Sequence, residues 1–163
     1  MALSSAIQWE VRTTGSDNNG GGFKYGASGT DYSQQDTAQK FGTDLVIHAS
    51  DATKVQPGAG VDAADVGNVI QITAGTGFTT GFYEIISQDG TYWTLDRAAG
   101  TAGSTGGTYA MGGALATPGK CTGAAVAYNT IHVKYGTYDF TTNTSNVSGG
   151  RMQVRNAITI VGY

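Results

Sequence analysis

Acid–base cleavage of a polysaccharide needs two carboxylates about 5–10 Å apart across a cleft, and this chain offers few candidates. Glu10 and Glu84 are its only glutamates, and Asp17, Asp31, Asp51 and Asp89 mostly occupy turn contexts. Asp62 and Asp65 are close in sequence, and their place just ahead of Val66 reads as a helix cap or a plain turn. His48 and His132 are the only histidines, and neither has cysteine or aspartate at ligand spacing, so both read as surface or structural groups. Cys121 is the sole cysteine, which rules out an internal disulfide and a cysteine-rich metal site. Beside Gly119, Thr122 and Gly123 it reads as an inert, partly buried thiol. No Gly-x-Ser-x-Gly occurs, so there is no nucleophile elbow. The Gly75–Gly81 stretch is neither a Walker loop nor a dinucleotide fingerprint, and it joins strand to strand. The sequence nominates no catalytic, cofactor-binding or metal-ligating residue.

Charge and composition narrow the partners. The net charge is −3 and the nine Lys and Arg residues are scattered, which gives no basis for wrapping nucleic acid. No window approaches 18 apolar residues, so no membrane insertion is expected. Met1–Glu10 lacks the basic start and apolar run of a signal peptide, and synthesis in a cytoplasm is expected. The sequons at Asn143 and Asn146 therefore carry little weight. With 26 glycines but only 2 prolines among 163 residues, and charged residues at 13%, the chain reads as short strands joined by tight turns: an all-β protein.

Three regions differ in texture. Residues 1–41 are polar and glycine-rich, with Gly20-Gly21-Gly22 and no sustained period, and read as an extended anchoring arm. Trp9, Phe23, Tyr25, Tyr32 and Phe41 punctuate it and are the candidate docking residues, since spaced aromatics on a flexible backbone suit capture by a partner surface. Residues 42–113 read as a small β-domain, a barrel or sandwich, with apolar runs at 44–48, 69–72, 82–87, 92–96 and 108–111. Asp89-Gly90 between two of these runs marks a hairpin. Residues 114–163 begin with an alanine-rich stretch, a short helix interrupted by Pro118 and glycines, and continue with alternating strands at 130–135, 137–140, 152–154 and 157–163. The last strand is apolar and uncapped, which predicts that a longer polypeptide continues or that a neighbouring chain covers the edge; continuation is favoured.

Asn129-Thr130-Ile131-His132-Val133-Lys134-Tyr135-Gly136-Thr137-Tyr138, followed by Ala157-Ile158-Thr159-Ile160-Val161-Gly162-Tyr163, resembles the opening coils of right-handed parallel β-helices of the pectate-lyase-like type. The segments Ala63–Ile72, Gly81–Ile85 and Thr94–Arg97, with the opening Trp9–Asp17 and Asn18–Phe23, are similar to the N-terminal parts of bacteriophage and metagenomic virion proteins that carry such helices. The resemblance implies a non-enzymatic virion structural protein, made in the host cytoplasm: the particle-anchoring region of a trimeric fibre, spike or head-decorating protein. Its implied partners are two further copies of itself, capsid or tail proteins through the arm, and host surface glycans through a distal part. Two alternatives stand beside it. One is a complete small capsid decoration or cement protein, and the other is the front of a β-helix polysaccharide-degrading enzyme whose catalytic coils lie further along a longer chain.

Overall fold

A computed structural model describes residues 3–138, 147–148, 151–152 and 159–163. Its strands, in chain order, are β1 (Ile7–Val11), β2 (Gly22–Lys24), β3 (Lys40–Ile47), β4 (Lys54–Gln56), β5 (Val69–Ala74), β6 (Gly81–Gln88), β7 (Trp93–Leu95), β8 (Thr105–Met111), β9 (Thr130–Val133), β10 (Val147–Ser148), β11 (Arg151–Met152) and β12 (Thr159–Gly162). One α-helix, α1 (Pro118–Ala124), and a 3₁₀ turn at Ala63–Asp65 accompany them among the described residues. The chain is all-β.

Period-two alternation closes the middle of the chain into a barrel of order β3-β4-β7-β6-β5-β8, every adjacent pair antiparallel. Leu45 and Ile47, Ile70 and Ile72, Tyr83 and Ile85, Trp93 and Leu95, and Tyr109 and Met111 point inward as i, i+2 pairs and are all but fully buried. Each such side chain contributes about 1.5–3 kcal/mol by leaving water. Closure also removes the free edges that an open sheet would present. The hairpin expected at Asp89-Gly90 joins β6 to β7, with Gly90 at φ 87°. The Lys54 ammonium, followed by the backbone N–H groups of Tyr92 and Thr91, holds the Asp89 carboxyl down at about 2. β4 escapes a sequence reading because only Val55 of its three residues is buried.

The extended arm expected over residues 1–41 is corrected by the fold. β1 is an interior strand of a four-stranded sheet, β12-β9-β1-β2, and Ile7, Trp9 and Val11 are fully buried. They form a second core with Leu3, Val69, Leu115, Cys121, Ala125 and Ile131. β5 is the wall shared by the two cores, since Ile70 and Ile72 face the barrel while Val69 faces the second cluster. The glycine run at 20–22 is a packing requirement rather than a hinge. A Cβ on Gly20 would lie 1.9 Å from the Val69 carbonyl oxygen. Gly21, at φ 75°, would set one 2.5 Å from the Leu115 side chain.

The helix is also placed differently. Pro118 opens α1 instead of interrupting it, because the first helical residue needs no N–H partner. Thr117 caps the helix through its Oγ1, which accepts from Lys120 N, and Asp17 braces that cap by accepting from Thr117 Oγ1 at 2.8 Å. Of the last strands expected, β9 and β12 are present. The runs expected at 139–140, 153–154 and 157–158 lie outside the described residues, as do Asn143 and Asn146.

Candidate functional site: the open edge of the parallel sheet

β1, β9 and β12 pair in parallel and in register, so their side chains stack in columns. One column runs Trp9–Ile131–Ile160, and another Glu10–His132–Val161. Burial falls along the first of them: Trp9 is 0% exposed, Ile131 1% and Ile160 41%. β12 is the outermost strand, and nothing among the described residues covers its far side. Tyr135 and Tyr163 flank the edge, both exposed, and Tyr135 N donates to the Tyr163 carbonyl at 2.7 Å. Beside the edge runs a groove of about 450 Å³, lined by Val133, Tyr135, Tyr138, Ile160 and Tyr163. An apolar strand edge with unpaired N–H and C=O groups accepts another strand.

The platform beneath the edge is held by buried polar bonds. Asn129, fully buried, accepts from Trp9 Nε1 at 3.0 Å and from Val126 N at 2.9 Å, and it donates to the Ser4 carbonyl at 2.9 Å. These bonds tie the N-terminal segment to the start of β9 across more than a hundred residues of chain.

On the other face lies a polar pocket of about 200 Å³ lined by Gln8, Glu10, Asp31, Ser33, His132 and Tyr163. Burial pushes the Glu10 carboxyl above its ordinary range, although Arg12 pulls against this with a 2.8 Å bond from Nε. Tyr163 also donates its hydroxyl to Glu10. Asp31 is held by Ser33 N at 3.0 Å, Ser33 Oγ at 2.6 Å and Gln34 Nε2 at 2.9 Å. Both carboxylates are engaged in bonds of the fold. Among the described residues, no three His, Cys, Asp or Glu side chains are grouped to hold a metal ion. His48 belongs to a turn, where its ring nitrogen accepts from Ser50 N at 3.3 Å and it packs edge-on against Tyr92.

The remaining acidic pair serves the barrel. Asp65 is 1% exposed and accepts at one oxygen from Lys40 Nζ at 2.7 Å, Trp93 Nε1 at 2.8 Å and Asp62 N at 2.8 Å. Asp62 bonds the same ammonium from the surface at 2.8 Å. The pair thus caps the 3₁₀ turn and ties it to Lys40 of β3 and Trp93 of β7.

The five docking aromatics divide by burial. Trp9 and Phe23 belong to the interior, at 0% and 9% exposure, and their assignment to docking is corrected: Trp9 is packed into the second core and Phe23 is buried on β2. Tyr32 is half-buried against the barrel core. Tyr25 and Phe41 stand at the surface, 74% and 70% exposed. The edge residues Ile160 and Val161 were visible in sequence only as strand, because their exposure depends on the ladder they join. Cys121 is buried completely, and that burial pushes its thiol well above the ordinary range. Comparison of the chain with protein-family models, with curated proteins and with solved structures gives no match.

Proposed function

We propose that the chain is a non-enzymatic structural module of a virion, the anchoring base of a fibre, spike or head-decorating protein. Barrel and second core make the base, and β1, β9 and β12 serve as the first rungs of a right-handed parallel β-helix stacked on it. The observation that carries the reading is the in-register parallel ladder ending on an exposed apolar strand. A column that buries Trp9 and Ile131 fully but leaves Ile160 open has the form of a stack that another rung completes. In this reading α1, which packs against β1 and β9, caps the start of the stack. Tyr25 is the exposed ring that docks on the particle.

Immunogold labelling of purified particles with serum raised against this chain tests the assignment, with label expected at one class of projection. Particles that carry none of the chain would overturn it. Sedimentation velocity of the purified protein tests the trimer, which a monomer at all concentrations would refute. A Tyr25→Ser variant is expected to fold normally and to lower incorporation, while unchanged incorporation would remove Tyr25 from the docking surface.

A further inference from the structure

A groove of about 500 Å³ runs along the outside of the barrel over β3 and β8, on a different face from the open sheet edge. Its walls carry Phe41, Thr43, Thr73, Thr108 and Asp36. This volume falls within the range of about 300–1,000 Å³ usual for small-molecule sites.

The strand geometry places these groups there. Lys40 and Gly42 pair with β8 at Met111 and Tyr109, but the register then slips between Gly42 and Leu45. Before the slip the even-numbered Lys40 turns inward to Asp65, and after it the odd-numbered Leu45 and Ile47 fill the barrel. Phe41 and Thr43 therefore both face outward. A second slip, between Ile72 and Ala74 on β5, falls at Thr73, whose Oγ1 lies 3.5 Å from the Thr108 carbonyl. Two of the three register shifts between β8 and its partners, those at 42–45 and 72–74, coincide with groove residues; the third lies between Leu45 and Val46. Bulges of this kind re-aim side chains and concentrate at barrel rims and binding sites.

The lining selects a ligand class. Among the described lining residues Asp36 is the one ionised side chain, 46% exposed, with the Arg12 guanidinium 3.5 Å away on one oxygen. The Arg12 side chain is 15% exposed and its guanidinium is already shared between Glu10 and Asp36, so a phosphate or carboxylate in the groove would meet the Asp36 charge first. Walls rich in threonine hydroxyls disfavour an alkyl chain. What fits an open aromatic face bordered by hydroxyls and one carboxylate is a neutral molecule with an apolar face and a hydroxylated rim. We propose that this groove binds a neutral saccharide: Phe41 stacks under the C–H face of a pyranose ring, and Asp36 with the threonine hydroxyls takes the ring hydroxyls. The site stands on the barrel's own geometry and holds whether or not the chain is part of a virion.

The test is an amide ¹H–¹⁵N titration of the whole labelled chain with cellobiose, lactose and maltose in separate runs. Saturable shifts are expected at Phe41, Thr43, Thr73 and Thr108 with at least one of them, at a dissociation constant of about 1 mM. Phe41→Ala should weaken that binding about tenfold or more, and Phe41→Trp should keep it. Both variants should melt with the parent, because the ring is exposed. Absence of saturable groove shifts with all three sugars would overturn the proposal. So would groove shifts that survive Phe41→Ala unchanged, or a stronger groove response to inorganic phosphate than to any sugar.

Discussion

Lys40→Met should be the most informative single change to the barrel. The Lys40 side chain is 10% exposed, and among the described residues its ammonium is the one countercharge to buried Asp65. Burial alone pulls the Lys40 pKa down, but the hydrogen bonds and charges of Asp62 and Asp65 outweigh it, and the net shift is upward. Removing one partner of such a pair strands a buried charge and costs about 3–5 kcal/mol. Little of this belongs to Asp62, which is 71% exposed and screened by water. At about 2–4 °C per kcal/mol for a chain of this size, the midpoint should fall by roughly 6–20 °C. Urea unfolding followed by tryptophan fluorescence reads this directly, since Trp93 Nε1 bonds Asp65 and Lys40 Nζ lies 5.9 Å from the Trp93 ring. Asp65→Asn keeps an oxygen for Trp93 and removes the charge, so the double variant should recover much of the loss. Because the folded pKa is raised, Lys40 contributes its full stability below the unfolded value of about 10.4 and loses it as pH rises through the folded value. Parent and Lys40→Met should therefore converge only as pH rises past the raised folded value of Lys40. Costs that add within about 0.5 kcal/mol across the double-mutant cycle would refute a coupled buried pair.

Two further outcomes follow from packing. Gly20→Ala should leave the protein insoluble or strongly destabilised, because the added Cβ meets the Val69 carbonyl at 1.9 Å; Gly26→Ala meets nothing within 4 Å and should cost only the left-handed strain of about 1–2 kcal/mol, so equal melting of the two would contradict the tight crossing. Cys121 should resist a thiol reagent in the native protein at pH 8 and react at once in urea, and rapid native labelling would place the thiol at a surface.

What the sequence disclosed was set by how local the signal is. Runs at 44–48, 69–72, 82–87, 92–96 and 108–111 alternate in their own right, and Asp89-Gly90 names its hairpin, so most of the barrel was legible. Its closure was not, because β3 meets β8 across some sixty residues and the bulges are properties of how β3 and β5 each pair with β8. Residues 7–11 do alternate, yet they sit in a polar, glycine-rich context. Their partners in the sheet are β2 and, far along the chain, β9. Gly20-Gly21-Gly22 misled most, since composition cannot distinguish glycine that confers freedom from glycine that admits a backbone at close range. Among the docking aromatics, spacing gave no means of telling buried Trp9 and Phe23 from exposed Tyr25 and Phe41. Which face a side chain takes is decided by strands distant in sequence.

The shared wall changes how docking must be tested. Removing residues 1–41 would take away β1, the strand that β9 and β2 both pair with, and would leave Val69 on β5 uncovered. It would also remove Lys40, and with it the charge that Asp65 requires. Such a truncation unfolds the platform before any docking can be measured, and lost incorporation would then report on folding alone. A change at an exposed ring carries no such cost, since neither core includes it. Separating anchoring from folding therefore rests on Tyr25→Ser, with the melting temperature measured on the same preparation.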